Sequence, residues 1–362
     1  MGLGATFPQP DFLHSARDYG CFNSFICLCI FDAANPVFEE VGLSVIAMEI
    51  IAPFGIITAC YAGDYFLAKA TCASIRHFMP DVPICVIVDG DFSIKELQDA
   101  YGVIALRVCD FEDPRLRKLC AGSPRSKLAA IWESPFSNFV CFDSDVVVWG
   151  DISKCINLIN NDFVMLTNLV SSPKDKANIE QFFYSPDRIS ELNADFQWLD
   201  RPFFCAGAFA AKRGVFSVDE YIALEEFSAR TPGVFNFAEQ GIFNYLVQTY
   251  SDYGKLRLGI ADLQYIVLDH SRQDAIARFG QSLSVPLTSI GNPTLIHFCG
   301  EKPLLQNLKA YRSPFTAFRW QHYRNVYGSG PLAALHSLSK ILAEEWRVLK
   351  PRLARKLFPS RC

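Results

Sequence analysis

The feature that most constrains this chain is a repeated alternation of short apolar runs with amphipathic segments. Four apolar runs predict buried strands, at Ile56–Cys60, Pro83–Val88, Val103–Val108 and Phe139–Phe142. The segments between them predict three helices, at Leu67–Phe78, Ile94–Tyr101 and Ser123–Glu133. Repeated βα units predict an α/β fold with a mostly parallel, doubly wound sheet and flanking helices. In such sheets, ligands bind beyond the carboxyl ends of the strands.

Composition excludes several classes of protein. Half of the 362 residues are hydrophobic and 20% are charged, which excludes a disordered, collagen-like or coiled-coil chain. A formal net charge of −4 excludes a generally basic nucleic-acid binder. The thirteen cysteines are scattered and form no CxxC pair. They therefore favour a reducing, cytoplasmic environment over a disulfide framework or a zinc ribbon.

The amino-terminal region differs from the rest of the chain. The apolar run Ser24–Phe31 is too short to span a bilayer, which takes about 20 residues. It also lacks the basic start and the cleavage site of a secretory signal. Because Met48 stands just before the first predicted strand, we expect an extension over residues 1–47 and a domain over residues 48–330.

The pair Asp143-Ser144-Asp145 directly follows the fourth predicted strand. Carboxylates at positions i and i+2 share one face of an extended chain, where they repel each other unless a cation neutralises them. Hard oxygen ligands suit Mg²⁺ or Mn²⁺, and such an ion commonly bridges to substrate phosphates. The alternative is a loop of two solvated aspartates. The apolar residues on both sides of the pair favour the metal site.

A second polar segment follows a short strand-like run beginning at Thr294. His297 could supply a third metal ligand, of the type that favours Mn²⁺ over Mg²⁺. Gly300 would let the backbone approach a phosphate, and Lys302 would offset its charge. The alternative for His297 is a hydrogen-bonded structural histidine.

Five motifs in order resemble the GT-A-fold glycosyltransferases of family 8, the group of glycogenin and the bacterial lipopolysaccharide galactosyltransferases. They are YAGDYF, SKLAAIWESPFSNFVCFDSDVVV, FFCAGAFAAKRGVF, AEQGIFNYL and HFCGEKP, and they cover roughly residues 55–305. The resemblance implies a nucleotide-diphospho-sugar transferase fold. It also implies a metal-dependent, retaining transfer of sugar from a UDP-sugar to a hydroxyl of a glycan, lipid-linked or protein acceptor.

The resemblance assigns roles by position. The implied Mn²⁺ ligands, with Mg²⁺ as the alternative ion, are Asp143, Asp145 and His297. The implied catalytic residues are Gln240, Glu239 and Lys127. The implied donor-binding residues are Cys60, Tyr61, Asp64, Tyr65, Lys127, Asp143, Ser144, Ala206, Gly207, Gly300 and Lys302.

The chain departs from the family pattern at several positions. Only Glu301 separates Gly300 from Lys302, where the family usually has two residues. Cys205 stands where an asparagine that binds the sugar is usual, and Gly241 replaces an acid. These departures affect sugar selectivity more than metal or nucleotide binding.

Two other functions are alternatives to glycosyl transfer. Asp143-Ser-Asp145 followed by two valines also fits the nucleophile motif of haloacid-dehalogenase-type phosphatases. That motif is expected on the first strand of the domain, with a later acidic pair, whereas here three predicted strands precede it. The other alternative is a module that binds a sugar nucleotide without turning it over.

The carboxyl-terminal tail, residues 331–362, is basic and amphipathic. From Lys340 to Cys362 its net charge is +5. An apolar stripe of helical spacing comprises Leu342, Trp346, Leu349, Leu353 and Leu357. Pro351 is expected to kink or split this helix. The helix either packs on the domain with a solvated basic face or lies on an anionic membrane surface, which would place the protein peripherally at the inner face of a membrane.

Overall fold

The computed structural model describes residues 50–167, 175–237, 239–282, 291–300, 302–307 and 309–357, with side chains up to residue 350. The predicted extension over residues 1–47 lies outside these residues and stays a prediction. In chain order, the strands are β1 (Ala52–Tyr61), β2 (Ile84–Asp89), β3 (Ile104–Arg107), β4 (Phe136–Asp143), β5 (Val146–Trp149), β6 (Phe163–Thr167), β7 (Ala208–Lys212), β8 (Leu258–Asp262), β9 (Gln264–Ile266) and β10 (Thr294–His297). The α-helices are α1 (Tyr65–Phe78), α2 (Lys95–Tyr101), α3 (Pro114–Cys120), α4 (Ala130–Glu133), α5 (Lys176–Phe182), α6 (Pro186–Leu192), α7 (Val218–Arg230), α8 (Glu239–Asp252), α9 (Arg272–Phe279), α10 (Ser313–Tyr327) and α11 (Pro331–Leu357).

Seven strands form the main sheet in the order β3-β2-β1-β4-β7-β6-β8. Strand β7 runs antiparallel to both of its neighbours, and the other recorded pairings in this sheet are parallel. The predicted α/β fold with a mostly parallel sheet is therefore confirmed. The chain winds outward from β1 to β3 and then returns to place β4 on the other side of β1. This reversal of strand order creates a crevice at the carboxyl ends of β1 and β4.

Both faces of the main sheet are buried, which explains why its strands read as continuous apolar runs rather than alternating ones. Successive residues of β1 illustrate this. Ile56 packs in one hydrophobic cluster together with α1, whereas Ile57 packs in a second cluster on the opposite face together with α8. The helices therefore flank the sheet on both sides.

A smaller three-stranded sheet has the order β5-β10-β9. Strand β5 follows β4 after the two-residue turn formed by Ser144 and Asp145, and it pairs antiparallel with β10. In this register His297 lies opposite Val146, which directly follows Asp145. The small sheet thus brings two distant segments of the chain to the crevice between β1 and β4.

Two sequence predictions need correction. The segment predicted as one helix up to Glu133 is a 3-10 turn over Pro124–Ala129 followed by the short helix α4. Ser123 caps this turn through its side chain, and the tighter winding leads to the short helix. Helix α11 continues through Pro351, so the predicted split is wrong, whereas the alternative of a kink stays a prediction. Ile341 and Glu345 in its earlier turns are buried, and such tertiary packing supplies most of the stability of a helix in a protein.

Candidate metal centre and donor site

The turn between β4 and β5 carries the paired aspartates. The hydroxyl of buried Thr71 on α1 lies 2.5 Å from the carbonyl oxygen of Ser144 and 2.8 Å from that of Val146, and its one hydrogen is shared between these two acceptors. This contact fixes the main chain of the turn between β4 and β5 against α1. The Asp145 side chain is 5% exposed, whereas that of Asp143 is 30% exposed and lies at the mouth of the crevice.

His297 joins the aspartates from β10. Its Nε2 lies 3.3 Å from Asp145 Oδ1 and 3.8 Å from Asp143 Oδ2. The three side chains can each offer a ligand atom within 4.8 Å of the others. The structure therefore brings together the three residues that the sequence predicts as metal ligands.

Two observations show that these residues fit a divalent cation. Asp145 Oδ1 is buried and has no hydrogen-bond partner among the described residues, which is costly unless a cation or another donor satisfies it. Gly207 leaves the space beside the ligands open, because a Cβ there would lie 2.4 Å from His297 Cε1 and 2.9 Å from Asp143 Oδ2. Two carboxylates and one imidazole suit Mn²⁺, and the oxygen ligands also suit Mg²⁺.

Two lysines flank the aspartates. Lys302 Nζ lies 2.6 Å from Asp145 Oδ2, and Lys127 Nζ lies 2.9 Å from both Asp143 Oδ1 and Glu239 Oε1. Burial would raise the pKa of Asp145, but the Lys302 ammonium acts in the opposite direction, and the pKa lies well below its usual range. Burial likewise disfavours the Lys127 ammonium, but Asp143 and Glu239 hold its pKa well above the usual value. Neighbouring charges therefore favour the charged forms of Asp145 and Lys127 inside the protein.

The segment after Gly300 reaches the same centre despite its shortened spacing. Gly300 has a φ of 78°, a left-handed conformation that favours glycine. A Cβ at this position would also come within 2.7 Å of the Leu268 side chain. This turn carries Lys302 to Asp145, so the single intervening residue does not displace the lysine from the site.

The loop after β1 borders the aspartates, because Ala59 pairs with Asp143 in the register of β1 and β4. Tyr61, at the end of β1, is 54% exposed, whereas the Cys60 side chain is buried in the core. Tyr65 packs edge-on against Phe92, with ring centroids 5.7 Å apart. Burial raises the pKa of Asp64 to about 6, although Lys302 acts in the opposite direction.

Helix α8 organises the opposite side of the site. The Gln240 side chain is held at both ends, since Oε1 accepts from the Ala206 amide at 3.4 Å and Nε2 donates to the Phe182 carbonyl at 3.1 Å. Buried Asn244 accepts from the amide of Phe204 and donates to its carbonyl. These bonds fix the segment that leads to Gly207.

Gly241, which departs from the family pattern, has a structural explanation. A Cβ at Gly241 would lie 1.8 Å from the carbonyl oxygen of Phe183. Any side chain there would force helix α8 away from this backbone. The first turn of α8, including Glu239 and Gln240, would move with it.

The sequence prediction missed Gln264, which stands at the start of β9. Its Oε1 lies 3.2 Å from His297 Nδ1. The only signal for it in the sequence is a polar residue inside the otherwise apolar run Leu263–Val267. Thr71 was missed for a similar reason, because its helix gives no indication of the turn that it supports.

Comparison with known proteins returned no matching family model and no matching curated protein. Solved structures that are similar to this chain include several glycosyltransferases. Galactosyltransferase LgtC, solved with donor and acceptor sugar analogues, is 13% identical over 73% of this chain and 95% of its own, with a TM-score of 0.46. GlyE from Streptococcus pneumoniae is 14% identical over 79% of this chain and 63% of its own, with a TM-score of 0.43. Mouse xyloside xylosyltransferase 1 is 12% identical over 70% of this chain and all of its own, with a TM-score of 0.42.

Proposed function

We propose that this chain is a divalent-metal-dependent glycosyltransferase of the GT-A type that moves a sugar from a UDP-sugar to a hydroxyl of a glycan, lipid-linked or protein acceptor. The proposal rests on the cluster of potential metal ligands formed by Asp143, Asp145 and His297. One carboxylate oxygen of this cluster lacks a hydrogen-bond partner, and two lysines pair with its aspartates. A nucleoside diphosphate is a leaving group that needs positive charge beside it, and a bound cation together with the two lysines would supply that charge.

The leaving diphosphate gathers negative charge as the bond to the sugar breaks. Asp143, Asp145 and His297 would hold a divalent cation, Mn²⁺ in preference to Mg²⁺, which when bound supplies positive charge to the phosphates. Lys127 and Lys302 provide two further counter-charges within reach of the same space. Such preorganised charges stabilise the transition state more in a buried site than they would in water. Gly300 lets the backbone approach a phosphate.

The nucleotide base is assigned to the crevice at the end of β1. Tyr61 presents an exposed ring there, and a flat uracil can stack on an aromatic ring. Asp64 and Tyr65 border the same loop. Cys60 contributes through its main chain, because its side chain is buried.

The sugar is assigned to the space between Ala206-Gly207 and the first turn of α8. The Gln240 amide is a poor nucleophile, and both of its ends are engaged by backbone groups. The resemblance implies retention of configuration. The weak nucleophilicity of Gln240 favours front-face attack by the acceptor hydroxyl, whose proton passes to the departing phosphate, over a covalent intermediate on Gln240. Glu239 orients Lys127 towards Asp143.

Incubation of the full chain with labelled UDP-sugars and Mn²⁺ tests this function. Sugar transfer, or slow hydrolysis of the UDP-sugar, supports the proposal. Hydrolysis of phosphomonoesters would instead indicate a phosphatase, although the Asp143 motif follows the fourth of the described strands and not the first of them. Binding of UDP-sugar without any turnover would indicate a non-catalytic module.

The exposed part of α11 supports a peripheral membrane contact, which we propose for residues 340–362. Leu342 and Trp346 are more than half exposed, and four basic residues follow Lys350 without any acid. Among the described residues, none of the helices is long and apolar enough to cross a membrane. Each basic residue near an anionic surface contributes about 1 kcal/mol.

Sedimentation with anionic lipid vesicles tests the membrane contact. A truncation near Gly330 would be unsuitable, because Ile341 and Glu345 on α11 are buried against the domain. A chain ending at Lys350 keeps these contacts. We expect it to retain UDP-sugar hydrolysis and to lose most vesicle binding, and we expect salt to screen the binding of the full chain. Equal sedimentation of both chains would contradict the contact.

A further inference from the structure

Gln264 links the two sheets beside the metal centre. It is the first residue of β9 and is only 4% exposed. Its Nε2 donates to the carbonyl oxygen of Leu166, on β6 of the main sheet, at 3.1 Å. Its Oε1 lies 3.2 Å from Nδ1 of His297, on β10 of the small sheet. The side chain therefore connects a fixed backbone acceptor to the imidazole.

These two contacts determine which way the Gln264 amide points. A backbone carbonyl only accepts hydrogen bonds, so the NH₂ group must face Leu166. Reversal of the amide would place two carbonyl oxygens against each other. Oε1 therefore faces His297, and an oxygen acceptor at this position requires that Nδ1 carry the hydrogen. Nδ1 also lies 4.0 Å from the sulfur of Cys205, which is a much weaker partner.

The tautomer of His297 decides what its other nitrogen can do. With the hydrogen on Nδ1, the lone pair of Nε2 faces the two aspartates, 3.3 Å from Asp145 Oδ1 and 3.8 Å from Asp143 Oδ2. With the hydrogen on Nε2, the ring would donate to Asp145 Oδ1. That bond would satisfy the unpartnered oxygen without a cation and would compete with metal binding.

We propose that Gln264 is a positioning residue of the metal centre, which holds His297 in the Nδ1–H tautomer and keeps Nε2 directed towards a divalent cation. The inference rests on the metal centre of the proposed function and assigns a residue that lies outside the ligand set. A hydrogen-bond partner behind a metal-ligating histidine typically contributes 10- to 100-fold to metal affinity.

Replacement of Gln264 by methionine keeps the length of the side chain and removes both hydrogen bonds. For the full chain we expect Gln264→Met to weaken Mn²⁺ binding by about 10- to 100-fold, measured from the free Mn²⁺ signal in electron paramagnetic resonance titrations. Gln264→Glu should restore most of the affinity, because its carboxyl group in the protonated form donates to the Leu166 carbonyl and still accepts from Nδ1. Gln248→Met is the matched control, since buried Gln248 also accepts one hydrogen bond, from Tyr184, and donates one to a backbone carbonyl. We expect this control to leave Mn²⁺ affinity unchanged.

The outcomes separate this inference from the proposed function. If the unmodified chain does not bind Mn²⁺, the proposed metal centre is wrong and the role of Gln264 is wrong with it. If the unmodified chain binds Mn²⁺ and Gln264→Met binds it within twofold, or is weakened no more than Gln248→Met, only the role of Gln264 is overturned. Should Gln264→Met fail to fold, Gln264→Asn is judged by the same criterion. Its amide is one methylene shorter and cannot reach Leu166 and His297 together.

Discussion

The metal centre can be compared with a second cluster of buried charges, which joins α1, α2, α10 and α11. The first, here named the metal cluster, comprises Lys127, Asp143, Asp145, Glu239, His297 and Lys302. The second, here named the docking cluster, comprises Lys69, Glu96, Arg319, His322, Glu344 and Glu345. Both clusters mix acids, basic side chains and one histidine.

In the docking cluster each carboxylate oxygen accepts a hydrogen bond. Glu96 accepts from Lys69 and His322, and Glu344 accepts from Lys69 and Arg319. Glu345 accepts from Arg319 and, through both oxygens, from the amide of Leu305. The cluster holds the first half of α11 against the domain.

In the metal cluster, by contrast, Asp145 Oδ1 accepts no hydrogen bond from the described residues when His297, 3.3 Å away, carries its hydrogen on Nδ1. The space beside this oxygen is open because residue 207 is a glycine. A buried polar atom that lacks a partner costs stability, and Arg319 Nε of the docking cluster is also such an atom. In the metal cluster the atom is a carboxylate oxygen beside two further potential ligands, an arrangement that a cation can satisfy. The difference teaches that buried charge by itself does not identify a functional site. The site is identified by a buried carboxylate oxygen that lacks a hydrogen-bond donor and by the open space beside that oxygen.

The largest expected effect is on activity, in the metal cluster. Asp145→Asn keeps the shape of the side chain and removes the charge that a cation needs. Because a metal ion contributes several kcal/mol of transition-state stabilisation, we expect glycosyl transfer to fall by about 1,000-fold or more. Circular dichroism should show an intact fold. Asp99→Asn, on the surface of α2, is the control and should leave the rate unchanged. Full activity of Asp145→Asn, or of the unmodified chain in EDTA, would contradict the metal assignment.

The next effect is on stability, in the docking cluster. Arg319→Met leaves Glu344 and Glu345 short of a donor in a buried setting, and breaking such a pair costs about 3–5 kcal/mol. Urea unfolding measures this loss, and Mn²⁺ affinity of the folded protein should not change. Arg115→Met, whose ion pairs are exposed, should cost less than about 1 kcal/mol. A similarly small cost for Arg319→Met would mean that the docking cluster does not anchor α11.

A smaller effect is expected for UDP binding. Lys302→Ala removes a charged donor to phosphate, and such a contact contributes about 1.5–3 kcal/mol, or roughly 10- to 100-fold in affinity. Isothermal calorimetry with UDP and Mn²⁺ measures it, with exposed Lys154→Ala as the control. Unchanged UDP affinity in Lys302→Ala would mean that Lys302 pairs with Asp145 and does not contact the phosphates.

The two clusters also differ in how far sequence predicts them. Asp143, Asp145 and His297 could be predicted because each stands at the end of an apolar run, and strand ends converge at one edge of a sheet. Gln264 could not, since its contact with His297 depends on the register of two strands in the small sheet. No local pattern encodes that register.

The docking cluster was missed for another reason. Lys69 reads as an ordinary charged position on an amphipathic helix, yet it is 4% exposed. Its partner Glu344 lies 275 residues further along the chain. Glu344 and Glu345 in turn interrupt the basic tail, where the sequence suggests a solvated face. Only the packing of α11 on α10 shows that these charges are internal.

The smallest expected effect is the acid sensitivity of the docking cluster. Burial alone would raise the pKa of Glu96, but His322 and Lys69 outweigh it and lower the pKa from 4.5 to about 2. A lowered pKa in the folded state stabilises the protein above the unfolded value and loses this contribution as the pH falls towards the folded value. Between pH 5 and 3 we therefore expect Glu96 to account for about 1–2 kcal/mol of lost stability, after allowance for its partial exposure. Urea unfolding at both pH values should show this loss in the unmodified chain and a correspondingly smaller loss in Glu96→Gln. If both proteins lose the same amount, the charge of Glu96 does not stabilise the docking of α11, and the contrast between the two clusters rests on Arg319 and its partners alone.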